Sequence, residues 1–212
     1  ALKWDFLEGK PKIDLDCSVL LFDSCGCCVD ACYYNQLKCL NGIVTHSGDS
    51  KAGSSSAFDE IVDVEFKNLP SNISVLCMVV NAYKGGDFTN LKSASAQVTE
   101  KTGTQTKVSK FAVPCNKVGM AGCVLAVMFR STPGGAWSLR SIGTVCDGKT
   151  FLESMPTVRK VVNEFVDPKL LNTTQLSMKK TFNMKKNDVV EIEKSLFLNG
   201  DDLFIGLGWE AE

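Results

Sequence analysis

Three short acidic stretches and one histidine are the residues of this chain best suited to chemistry. In "IDLDCS", Asp14 and Asp16 stand two apart, and on a strand both side chains project from one face. Neighbouring carboxylates repel, and a bound cation is one remedy. "THSGDS" sets His46 and Asp49 around Gly48, a residue type that tolerates unusual backbone angles. "FDE" then brings Asp59 and Glu60. Calcium takes roughly six to eight oxygens from carboxylates, amides, backbone carbonyls and water. The Gly/Ser-rich run between Asp49 and Asp59 suits that demand, because small residues let carbonyls turn inward. On the residues alone, a solvated acidic loop tip is an equal reading. The spacing is not that of an EF-hand.

Two other chemistries compete. His46 is the only histidine, and serines surround it. A Ser-His-acid triad needs a positioned nucleophile, yet nothing resembles a G-x-S-x-G elbow. A histidine that orders its own loop is the preferred reading, and no enzyme is expected. The second alternative is a cysteine-based zinc or redox module. "CGCCVDACYYNQLKC" holds Cys25-x-x-Cys28, with Cys32 and Cys39 beyond. A structural zinc site usually takes two spaced ligand pairs, and only one C-x-x-C is present. "DSCGCC" also reads as a hairpin turn at Gly26, which would send adjacent thiols to opposite faces.

The elements that must position these residues are mostly strands. "CSVLLFD", "ISVLCMVVNAY" and "CVLAVMFR" are apolar runs of buried-strand type. "IVDVEFKNL" alternates, with Val62, Val64 and Phe66 on one face. "SASAQVTEKTGTQTKVSKFAV" predicts a hairpin turning at Thr102-Gly103, and "MFRSTPGGAWSLRSIG" a second at Pro133 to Gly135. The pattern predicts an all-β sandwich of two mainly antiparallel sheets. One or two helices are expected around 150–166, where Val158, Val161, Val162 and Phe165 recur at helical spacing, with Pro156 near the start.

The chain has 212 residues, 44% hydrophobic and 22% charged, with a net charge of −1. No nucleic acid partner is expected from that balance, and no apolar run reaches the ~20 residues of a membrane span. Ten cysteines without the density of a secreted scaffold favour a reducing, cytoplasmic location. The two ends mirror each other. Leu2, Trp4 and Asp5 match Leu207, Trp209 and Glu210 in type and spacing, as in a permuted unit or one phase of a tandem repeat.

In order along the chain, "IDLDCSVLLFD", "VDACYYNQL", "NGIVTHSGDS", "AGSSSAFDEIVDVEFKNLP", "VVNAYKGGDFTNLKSASAQV", "AGCVLAVMFR" and "WSLRSIG" resemble the TerD-type tellurium-resistance and stress-protein family. The resemblance covers residues 13–165 in family order. The family's opening hairpin is matched instead by 177–209, so residues 1–212 read as one domain whose last segment supplies strands to it or to a neighbour. The resemblance implies a β-sandwich that binds calcium at Asp14, Asp16, Asn35, Asp49, Asp59 and Glu60. It implies a binding or scaffolding module with a protein partner not yet identified, and self-association through the C-terminal segment. Ser50, Ser55 or Ser56, and Phe58 stand where the family carries Asn or acids. Two calcium sites are usual in the family, and the missing oxygens imply that one is weakened or absent.

Overall fold

The longest apolar runs form the centre of the molecule. β2 (Asp14–Asp23), β7 (Ile73–Lys84) and β10 (Gly122–Phe129) lie side by side, flanked by β3 (Cys28–Cys32) and β11 (Ser138–Cys146). The sheet order is β11-β10-β7-β2-β3, and every pair is antiparallel. The structure, a computed structural model, describes residues 1–50, 58–102 and 105–168. They fall within one unit, Ala1–Gln175, and the second unit, Leu176–Glu212, lies outside the described residues. The expectation for 177–209 therefore lies outside them as well.

One face of the central sheet is covered by two small sheets. β1 (Leu2–Phe6), β8 (Leu91–Thr102) and β9 (Gln105–Ala112) form the first, in the order β1-β8-β9. Leu2, Trp4, Leu91 and Ala94 pack there against Ile13, Leu15, Val80 and Leu125. β4 (Lys38–Cys39), β5 (Val44–His46) and β6 (Val62–Val64) form the second. It buries Cys39 and Val44 against Val19, Leu21 and Leu76. The two meet where the Leu2 N–H donates to the Glu60 carbonyl at 2.7 Å and the Asp59 N–H to the Leu2 carbonyl at 2.8 Å. The architecture is the expected antiparallel β-sandwich.

The other face of the central sheet carries α1 (Phe151–Val162). Val158, Val161 and Val162 cover Leu20, Phe22, Val75, Cys77 and Val127. The helix starts earlier than Pro156, because the Thr150 side chain accepts from the Glu153 N–H and caps the first turn. Pro156 is thus internal. The carbonyl it cannot serve belongs to Leu152, which is 68% exposed and open to water. Strand β6 stops at Val64 and gives way to a single 3-10 turn, Phe66–Asn68. Phe66 leaves the alternation to meet Trp137 edge-on at 5.5 Å. Both expected hairpins form, with Thr102 opposite Gln105 and Phe129 opposite Ser138. No helix among the described residues is long and apolar enough to cross a membrane.

One contact secures each end of the β2–β7 pair, Arg130 beside Asp23 and Gly85 beside the acidic stretch. The buried Arg130 donates from Nε to the Ile73 carbonyl at 2.8 Å and from a terminal nitrogen to the Pro70 carbonyl at 2.6 Å, under the Trp137 ring. Gly85, at the end of β7, has φ +89° and lies against the Lys12–Ile13 backbone. A Cβ there would sit 2.1 Å from the Lys12 carbonyl oxygen. Neither the dihedral nor the space admits a side chain. Gly85→Ala is expected to cost at least about 1–3 kcal/mol, read as a lower urea midpoint with unchanged slope.

Candidate functional site

The site begins where β2 outruns β3. The β2–β3 ladder ends at Val19 opposite Cys32, so the Cys17 peptide has no strand on that side. A buried backbone N–H and C=O need partners, and two side chains supply them. The Cys17 N–H donates to Glu60 Oε2 at 2.7 Å, and the Cys17 carbonyl lies 3.2 Å from His46 Nε2. The Gly48 N–H donates to His46 Nδ1 at 3.0 Å, which leaves the ring proton on Nε2, facing the Cys17 carbonyl. Nε2 is also 3.5 Å from Glu60 Oε2, and the Ser50 N–H reaches Glu60 Oε1 at 3.4 Å. Glu60, with no exposed surface, therefore ties β2 to the end of β5 and to the loop that follows. Burial pulls His46 down, but the hydrogen bond and charge of Glu60, with the Cys17 carbonyl, leave its pKa raised overall. His46 orders its loop, as preferred from the sequence.

Around this clasp, carboxylate oxygens of Asp16, Asp49 and Glu60 all lie within 4.8 Å of one another. Asp16 is 6% exposed, and Asp49 arrives from the loop, just past Gly48 with φ +106°. Burial pushes the Asp16 carboxyl up to about 7, and the charges of Glu60, Asp14 and Asp49 push the same way, against a smaller pull from His46. Such a set suits a hard, oxygen-seeking cation, whose charge would favour the ionised form of Asp16.

The other expected ligands stand elsewhere. Asp14 is half-buried on the same face of β2, two residues from Asp16. Asp59 Oδ2 accepts the Trp4 N–H at 3.0 Å, so this carboxylate holds β1. Asn35 is exposed, in the turn closed by the Tyr33–Gln36 bridge. The structure thus groups three of the six residues and places Asp59 and Asn35 outside the group.

Sequence reasoning missed β1 itself, although Leu2 and Trp4 alternate with Lys3 and Asp5 in the period of a half-buried strand. The cysteines do not form a metal-ligand set among the described residues. All ten are free, and the carboxylate group is the one set of three or more His, Cys, Asp or Glu ligands at metal-binding spacing among the described residues. Cys32 and Cys39 are buried in an apolar cluster with Val44 and Leu76. Burial pushes Cys28 up to about 11, whereas the hydrogen bond with Cys39 holds Cys32 below the usual thiol range.

A two-layer antiparallel sandwich with one helix on its outer face and a carboxylate cluster at the end of a central strand defines a small class of β-proteins. The family model described as TerD domain matches residues 1–155, and the chain belongs to that family. It is 30% identical over 142 residues to tellurium resistance protein TerZ of Serratia marcescens, covering 67% of this chain and 71% of that protein. It is likewise 30% identical over 142 residues to stress response protein SCP2 of Bacillus subtilis (strain 168), covering 64% and 69%. Among solved structures, a protein of unknown function, SAV2460, superposes with a TM-score of 0.58 at 19% identity, over 72% of this chain and 90% of that one. A homologue of telluride resistance protein TerD, SCO6318 from Streptomyces coelicolor A3(2), gives 0.55 at 21%, over 71% and 90%. These two likenesses show the fold. The match from residue 1 also includes β1, which the sequence comparison had left out of family order.

The raised Asp16 carboxyl has a stability consequence. Its value rises from 3.8 unfolded to about 7 folded, so its contribution is full at low pH and is lost as pH climbs through about 7. Asp16→Asn, which mimics the protonated acid, should melt above the wild type in chelator at about pH 8. The gap should narrow steadily as pH falls and close only near the unfolded value of 3.8. Thermal melts across that range check it, at about 2–4 °C per kcal/mol for a domain of this size.

Proposed function

We propose that this TerD-family chain is a calcium-binding, non-enzymatic module of a stress response that docks or scaffolds a protein partner. The observation that carries the reading is the grouping of Asp16, Asp49 and Glu60, two of them buried. The relatives named for tellurium resistance and stress response support the cellular setting, and the free thiols support a cytoplasmic one. Asp16, Asp49 and Glu60 would hold the ion, with Asp14 adding negative charge nearby. Calcium supplies a charge that three close carboxylates lack, and so draws the Asp49 loop onto β2. The loop and the end of β2 together would form the partner's surface.

An ion that binds only the folded loop stabilises the domain by mass action. At about a hundred times its dissociation constant the gain is about 2.7 kcal/mol, or about 5–10 °C in Tm. Asp49→Ala, at an exposed position, should leave the chelator melt near that of the wild type and abolish the calcium-dependent rise. Coincident wild-type melts with and without millimolar calcium would sink the reading.

A second reading, assembly, is favoured by β1. Leu2 and Trp4 are buried in the sandwich, and Asp5 Oδ2 meets Lys92 Nζ at 3.2 Å. The same Leu-x-Trp-acid pattern recurs at Leu207, Trp209 and Glu210, a sequence that could pair in a second molecule as β1 pairs here. Light scattering on the full chain and on a chain ending at residue 169 should show a larger species only for the former.

A further inference from the structure

We propose that Asn81 Oδ1 is a neutral oxygen ligand of the cation held by Asp16, Asp49 and Glu60. The inference rests on the calcium reading and deepens it. Asn81 sits in β7 directly opposite Asp16 on β2 and, on its other side, opposite Gly122 on β10. Opposed residues of antiparallel strands share a face, with Cβ atoms about 4.5–5.5 Å apart. A row of side chains thus runs across the sheet from Asp16 through Asn81 and Gly122 to Cys146.

The orientation of the amide follows from its partners. Asn81 Nδ2 donates to the Gly148 carbonyl at 2.7 Å and to Ser154 Oγ at 2.9 Å. Those are also atoms that a Cβ on Gly122 would strike, at 2.7 Å each. They therefore lie over the Gly122 side of the row. The nitrogen must face them, because a flipped amide would set its oxygen against the Gly148 carbonyl. In a planar amide the oxygen points away from the nitrogen, so Oδ1 is turned to the Asp16 side.

Asn81 is 1% exposed, and Oδ1 has no hydrogen-bond partner among the described residues. An orphaned buried acceptor is destabilising, and a strand of apolar residues has no need of one. An ionised Asp16, opposite it across the strands, is one more acceptor. A cation on Asp16 answers both oxygens. Calcium–oxygen bonds of about 2.3–2.6 Å match an ion bridging Asp16 and Asn81 across one strand spacing. The same amide then joins the ion to the entry of α1 through Gly148 and Ser154.

The test is calorimetric titration of calcium chloride into the chelator-stripped full chain, as wild type, Asn81→Ala and Ser154→Ala. Asn81→Ala removes the oxygen, whereas Ser154→Ala removes one partner of the nitrogen. Expected are about tenfold or more weaker binding for Asn81→Ala and affinity within about threefold of wild type for Ser154→Ala. In the wild type, the Asn81 side-chain 13Cγ resonance should shift on calcium addition while that of Asn163, at the far end of α1, stays in place. That measurement needs no variant and stands if Asn81→Ala fails to fold. Equal calcium affinity in folded Asn81→Ala, an equal loss in Ser154→Ala, or a static Asn81 resonance at saturation overturns the ligand assignment alone. A wild type that takes up no calcium overturns both this and the calcium reading.

Discussion

Glu60 is a carboxylate with no surface in water, and much of the molecule is arranged around that fact. A buried charge is tolerated where hydrogen bonds and opposite charge surround it. Glu60 receives the Cys17 N–H, the Ser50 N–H and the approach of His46, while its own carbonyl receives the Leu2 N–H. One residue therefore joins the central sheet, the loop after β5 and β1. Its side chain stands in for the strand that β2 lacks beyond β3, and its backbone closes the seam between the two small sheets. Asp59 works beside it, with its N–H on the Leu2 carbonyl and its carboxylate on the Trp4 N–H. The pair read as two metal ligands in the sequence divides its labour: Glu60 faces the acidic cluster, and Asp59 faces the first strand.

The fold was legible because its strands are long, apolar and separated by strong turn signals. β2, β7 and β10 carry continuous hydrophobic runs, and the hairpins at Gly26 and at residues 133–135 have the glycines that such turns need. The helix was legible, expected around 150–166 and found at Phe151–Val162, but Pro156 proved internal, since the Thr150 cap lies upstream of the apolar pattern. β1 was missed for a different reason. Its alternation spans only five residues, and its partners, Leu91 to Ala96, lie some ninety residues away along the chain.

The site was half legible. Acids at strand ends and beside glycine stand out in a sequence, and Asp16, Asp49 and Glu60 were found that way. What separates them from Asp59 is direction, since the Trp4 N–H claims its carboxylate, whereas Asn35 stands exposed in the Tyr33–Gln36 turn. Spacing does not encode that choice. Asn81 left one signal that spacing could have given, an amide in the middle of "VVNAY". A polar side chain inside a buried strand needs a partner, and its presence there asks what that partner is.

The rest of the row across the central sheet answers in part. Gly122 has no side chain, and the space a Cβ would fill is taken by the Gly148 carbonyl, the Ser154 hydroxyl and the Cys146 thiol. Cys146 Sγ donates to Ser154 Oγ at 3.3 Å, and Asn81 Nδ2 donates to the same oxygen. Hydrogen bonds thus run from Asn81, opposite Asp16, to the first turn of α1, on a face otherwise packed with valines. An apolar row would bury as much surface without any orphaned oxygen. A row of this kind fixes the helix at one rotation and one height on the sheet, because each hydrogen bond has a single geometry where hydrophobic contacts have many. The strand residue opposite Asp16 and the entry of the helix are consequently parts of one positioned unit.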